Sequence, residues 1–165
     1  MTKQLLIFRH AKSSWNSPAN DDYSRPLNKR GREAARLMGQ TLLQRDCLPE
    51  SIHLSSATRT TQSCQLFLEA AGLSNIPLNS TRNLYLAGLR TLLETIHNFD
   101  EQHNRVMLLG HNPGLEYLLL HLCPDAPTLP NGKLLTTANI AIVELSGTWS
   151  AWQGAVLRDL LRPKD

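Results

Sequence analysis

Two short runs, Gln4 to Phe8 (QLLIF) and Arg105 to Leu109 (RVMLL), constrain this chain most, because each is almost unbroken by polar residues. Such runs suit strands buried on both faces of a sheet, where side chains need not alternate between polar and apolar. The segments between them carry helical spacing. From Asn28, a cap candidate, Ala35, Met38 and Leu42 recur with Ala34, Leu37 and Thr41 beside them, which predicts a helix to about Arg45. Ser51 to Ser55 reads as a second strand. Ser56 reads as the cap of a helix whose inward face is Cys64, Leu68 and Ala71 and which stops at Gly72. A short strand near Ile76 to Leu78 and a helix on Leu89, Leu92, Leu93 and Ile96 come next. After RVMLL, Asn112 caps and Pro113 opens a helix with Leu115, Leu118, Leu119 and Leu122. Ala138 to Leu145 and Trp149 to Leu157 read as two strands around Ser146-Gly147-Thr148, a hairpin signal.

Strands alternating with helices predict an α/β three-layer sandwich: a mostly parallel central sheet, helices on both faces, and a C-terminal antiparallel strand pair. A chain of 165 residues, 41% of them apolar, is the size of a single domain, here residues 1–165. The long polar stretch from Ala11 to Pro26 reads as a loop.

Seventeen Lys and Arg against 14 acids leave a formal charge of +3, scattered without a block of like charge. That pattern favours a small anionic group and argues against a nucleic-acid partner. No apolar run approaches the ~18 residues of a membrane span, and the N-terminal apolar run is too short for a signal peptide. The expected location is the cytoplasm, with no membrane partner. Cys47, Cys64 and Cys123 lack metal-finger spacing and read as reduced, buried thiols. His53, His97, His103 and His121 pair with no acid or cysteine at ligand spacing, so no metal site is expected.

Reactive groups of a parallel sheet gather at the carboxyl ends of its strands. The first strand ends in Arg9 and His10, the second leads to Arg59 in the first turn of its helix, and RVMLL leads to His111. Two guanidiniums and the helix starts at Ser56 and Asn112 make an anion site matched to a phosphoryl group. The guanidiniums disfavour imidazolium, so His10 presents a neutral nucleophilic nitrogen. Arg9, Arg59 and a protonated His111 are placed to stabilise the charge of the transferring group.

These residues resemble the histidine phosphatase superfamily (phosphoglycerate mutase-like), whose Arg-His-Gly signature appears here as Arg9-His10-Ala11. Within it the chain looks like the small SixA-type phosphohistidine phosphatases. LLIFRHAKSSW, DYSRPLNKRGREAA, LSSATRTTQS, LLGHNPGLE and TTANIAIVEL match in order, across nearly the whole chain. The resemblance implies a metal-independent, cofactor-free, monomeric phosphatase with His10 as nucleophile and Arg9, Arg59 and His111 as the phosphate pocket. Arg25 and Asn112 are carried as substrate-binding candidates, although Arg25 serves equally well as a loop anchor paired with Asp21 or Asp22. Ala11 in place of glycine implies that no positive φ is needed there.

Larger relatives that hydrolyse alkyl phosphates carry a proton donor after the third strand, and no Asp or Glu occurs here between Glu69 and Glu94. An alkoxide needs that proton, whereas imidazole leaves phosphohistidine readily. The expected substrate is therefore phosphohistidine on a partner protein. Two alternatives stay open. One is a phosphatase for a small phosphorylated substrate, with Asp21, Asp22 or His111 as acid; the other is a phosphate-binding module without catalysis. Trp15 and Tyr23 are candidates for the pocket mouth.

Overall fold

The computed structural model describes residues 1–16, 18 and 21–163. Part of the predicted loop, Ser17, Ala19 and Asn20, lies outside the described residues. In chain order the elements are β1 (Thr2–Arg9), α1 (Lys29–Gln44), β2 (Ser51–Ser55), α2 (Thr58–Ala71), β3 (Leu78–Thr81), α3 (Leu89–His97), β4 (Arg105–Gly110), α4 (Gly114–Leu122), β5 (Ile140–Gly147) and β6 (Trp152–Leu161). A single turn of tighter helix, Arg82–Leu84, follows β3.

The strands form one sheet in the order β3-β2-β4-β1-β5-β6. β3, β2, β4 and β1 run parallel, while β5 and β6 complete one edge antiparallel. Side chains leave each strand on alternate faces, so β1 feeds two cores. Leu6 and Phe8 join Met38, Leu42, Cys64 and Phe67 of α1 and α2. Leu5 and Ile7 join Leu92, Ile96, Leu115, Leu118 and Trp149 under α3 and α4. This is the predicted three-layer α/β arrangement.

Several local readings shift. Asn28 caps α1 as predicted, accepting the Gly31 N–H at 2.8 Å, and Gly72 ends α2 at φ 71°. The cap of α2 is Ala57 and not Ser56, whose hydroxyl is instead held by the Tyr23 hydroxyl at 2.6 Å. On α2 the deeply buried aromatic is Phe67, packed on Phe8 with ring centroids 5.6 Å apart, while Leu68 is half-buried. The third strand lies slightly later than predicted, and β6 starts after Trp149, which is fully buried in the core. All three cysteines are free and buried. Among the described residues no helix is long and apolar enough to cross a membrane.

Two glycines are required by close backbone approach. A Cβ on Gly31 would lie 2.0 Å from the Lys12 carbonyl oxygen, and one on Gly114 2.0 Å from that of Ala87. Both contacts seat a helix start against a loop beside the carboxyl end of the sheet.

Candidate active site

Register decides which residues meet. Arg9 of β1 pairs with Gly110 of β4, and the His10 N–H donates to the Gly110 carbonyl at 3.1 Å, so His10 and His111 leave neighbouring strands side by side. Their ring centroids lie 5.2 Å apart. β2 flanks β4 on its other side and leads into α2, whose first turn swings Arg59 back over the same edge. The four predicted residues therefore converge, lining one cavity of about 700 Å³ with Lys12, Ser13, Trp15, Asp22, Arg25 and Asn112 among its other walls.

His10 has a defined tautomer. Its Nδ1 lies 2.7 Å from the Ala11 carbonyl oxygen, which only accepts, so Nδ1 carries the proton and Nε2 keeps its lone pair. Burial pushes the His10 pKa down to about 3; the Ala11 carbonyl opposes this, and His111, Arg59 and Arg9 add to it. The ring is neutral at neutral pH. Arg59, 2% exposed, sends Nε–H toward His10 Nε2 at 3.4 Å. Ala11 itself is buried and has no positive φ; its N–H donates to Ser63 Oγ at 2.9 Å.

His111 departs from expectation. Burial first, then Arg59, Arg25 and Arg9, push its pKa down to about 3 against the pull of Asp22, so at neutral pH the ring is a neutral imidazole with one proton and not the expected imidazolium. Its Nε2 lies 2.8 Å from Ser55 Oγ, and its Nδ1 is buried with no partner among the described residues. Arg9 donates through Nη1 to the Leu135 carbonyl at 2.9 Å, and its Nε is likewise unpartnered.

Asn112 is not a cap. Pro113 occupies that position in α4, and the Asn112 amide donates to the Leu135 carbonyl at 2.9 Å and to Glu116 at 3.2 Å. Arg25 does what both of its readings foresaw: it pairs with Asp22 at 2.9 Å and with Ser13 Oγ, stacks 3.8 Å over the Trp15 ring, and still lines the cavity. Trp15 stands 81% exposed at the mouth, whereas Tyr23 turns away to Ser56 and packs edge-on against Tyr85.

Asp22 closes the outer wall. Its carboxylate takes the Arg59 Nη2 at 2.9 Å and the Tyr85 hydroxyl at 2.5 Å, and its carbonyl takes Arg59 Nη1 at 2.6 Å. Partial burial raises the Asp22 pKa, but hydrogen bonds from Tyr85, Arg25 and Arg59 outweigh it and hold the carboxyl below the usual carboxylate range. In this arrangement Asp22 is an ionised acceptor with no proton to give. Asp21 stays outside the cavity and accepts the Ser24 N–H.

Sequence reasoning missed Ser55, Tyr85 and Glu116. Glu116 gathers the Leu134 and Leu135 N–H groups and so presents the Leu135 carbonyl to Arg9. Ser55 had a signal, its place at the end of the second strand. Tyr85 had none, since its hydroxyl reaches Asp22 across 63 positions of sequence.

The profile of the histidine phosphatase superfamily (branch 1) matches residues 5–85, which carry Arg9, His10, Arg25 and Arg59. A crystal structure of a candidate phosphohistidine phosphatase SixA from Agrobacterium tumefaciens is similar at 29% identity and a TM-score of 0.83, over 98% of each chain. A second SixA candidate, from Nakamurella multipartitia, is similar at 26% identity and a TM-score of 0.78, over 99% of this chain and 97% of that one. An uncharacterized chloroplastic protein of Arabidopsis thaliana is 26% identical over 94% of this chain and 71% of its own length. The chain belongs to the histidine phosphatase superfamily, and its chemistry is that of a phosphatase. Within the superfamily it falls in the small SixA-type branch.

Proposed function

We propose that this phosphatase removes the phosphoryl group from phosphohistidine on a partner protein, through a phosphorylated His10. One observation carries the reading. The buried side-chain polar atoms left without a partner among the described residues are Arg9 Nε, Arg25 Nε, His111 Nδ1 and Asn112 Oδ1, and every one belongs to a residue lining the His10 cavity. Arg9 Nε and Arg25 Nε are donors, and His111 Nδ1 is one when it carries the ring proton. Buried donors without partners are costly, and an anion placed beside His10 Nε2 supplies their acceptors, while Asn112 Oδ1, itself an acceptor, is not served by it.

In the first step the Nε2 lone pair of His10 forms a bond to phosphorus as the substrate's P–N bond breaks. The leaving imidazole, protonated on its other nitrogen, departs neutral. Arg9 and Arg59 balance the charge spread over the three equatorial oxygens. Water then attacks phospho-His10, releasing inorganic phosphate and returning the electron pair to Nε2. The ionised state of Asp22 supports the nitrogen-linked substrate: an alkoxide leaving group requires a proton that this wall does not supply.

The test is hydrolysis of a phosphohistidine peptide, an aryl phosphate and an alkyl phosphate side by side, with acid-labile label trapped on the protein. The expected order is phosphohistidine first and alkyl phosphate last, with the label lost in His10→Ala. Turnover of the alkyl phosphate at the phosphohistidine rate would overturn the substrate class. A wild type that neither labels nor turns over would leave only a phosphate-binding module.

A further inference from the structure

His111 has two ring nitrogens and, being neutral, one proton to place on them. Which nitrogen carries it decides whether the ring offers the pocket a donor or a lone pair. Ser55, the last residue of β2 and fully buried, lies against the ring because Leu54 pairs with Leu109 across the β2–β4 ladder, setting Ser55 beside the chain that leads to His111. Its Oγ is 2.8 Å from His111 Nε2 and already accepts the Ala57 N–H at 3.2 Å.

Among the described residues the hydroxyl proton therefore has one hydrogen-bonded acceptor, Nε2. If Nε2 carried the ring proton, the hydroxyl proton would be stranded in a buried site, and a bare Nδ1 lone pair would meet the oxygens of any phosphoryl ligand. With the hydroxyl donating to Nε2, every group is satisfied except one, the Nδ1–H, and Nδ1 is the buried, unpartnered nitrogen of this ring.

We propose that Ser55 is a positioning residue that holds His111 as the Nδ1–H tautomer, so that Nδ1–H is donated to the transferring phosphoryl group. This rests on the reading of the cavity as a phosphoryl-transfer site. It deepens that reading by assigning the second histidine's role to a strand-end serine that never touches substrate. His10 and His111 thereby divide their work: the Ala11 carbonyl fixes His10 with a bare Nε2 to attack, and the Ser55 hydroxyl fixes His111 with a proton to give in a hydrogen bond.

The experiment uses the full chain labelled with 15N-histidine, with His111→Gln to assign the ring. Two-bond 1H–15N correlation spectra are recorded with and without orthovanadate, and rates are taken with an aryl phosphate. Wild type is expected to show a protonated Nδ1 and a bare Nε2. Ser55→Ala is expected to lose that preference and about 10-fold or more in kcat/KM, the scale of effect when a hydrogen-bonding partner that orients a site histidine is removed. Ser55→Thr keeps the hydroxyl and should restore both. A proton on Nε2 in wild type overturns the proposal, as does a Ser55→Ala variant that slows without moving the proton. If Ser55→Ala does not fold, the wild-type spectrum together with Ser55→Thr still decides. Because the rate is read on an aryl phosphate, a failed phosphohistidine preference leaves this result intact, and a failure of His10 to label sinks the earlier reading instead.

Discussion

The floor of the cavity and its outer wall are built differently. The floor, Arg9, His10, Arg59 and His111, sits on two strand ends and one helix start, over a core in which Phe8 packs on Phe67. His10 and His111 are 7% and 3% exposed. The wall, Ser13, Trp15, Asp22 and Arg25, comes from the polar loop and is held by ion pairs and stacking, with the Asp22 side chain 43% exposed. Close packing against the sheet fixes a buried side chain to a narrow geometry, whereas surface ion pairs contribute little and leave their partners open to an incoming anion. The floor is thus suited to chemistry and the wall to admission.

The contrast is sharpest for His10→Ala, which removes the proposed nucleophile and is expected to cost about 10⁶-fold in kcat, the scale for deleting a covalent nucleophile. Trapped acid-labile phosphate should vanish with it. Arg59→Ala is expected to cost about 10²–10³-fold in kcat/KM, as for loss of one preorganised donor to a transition-state oxyanion. Arg25→Ala, on the wall, should cost about 10-fold or less and mainly raise KM. Equal losses at the two arginines would erase the distinction.

Acid tests the floor through stability. Histidines in the unfolded chain bind protons near pH 6.5, while the folded His10 and His111 resist until about 3. The unfolded state binds more protons between those values, so stability falls as pH drops from about 6.5 toward 3, by on the order of a few kcal/mol. Urea midpoints at pH 7 and pH 4.5 measure this, and His111→Gln should flatten the slope.

The smallest effect belongs to Asp22→Asn. Freed from a charged competitor on Arg59, the cavity should bind an aryl phosphate with a lower KM while kcat stays within about 10-fold. A kcat loss of about 10²-fold or more, the range for a general acid, would make the wall part of the chemistry.

Strand ends made the floor readable from sequence: an apolar run stopping at Arg9-His10, and another at Gly110-His111, mark the edge where a parallel sheet gathers its chemistry. The helix caps were less readable. Ser56 and Asn112 have the right side chains for capping, but each is held elsewhere, the Ser56 hydroxyl by Tyr23 and the Asn112 amide by the Leu135 carbonyl. Capping is a local preference that a tertiary hydrogen bond overrides.

By itself the sequence determined the sheet, the layers and the four charged or titratable residues at one edge, because hydrophobic period and strand length are local properties of the chain. Only the tertiary structure decided their states. The neutrality of His111, the ionised Asp22 and the Ser55 contact depend on burial and on partners far away in sequence: Tyr85 for Asp22, and for His111 a serine 56 positions earlier. A proton's location follows from the field and partners around it, and these exist only once β2 and β4 lie side by side.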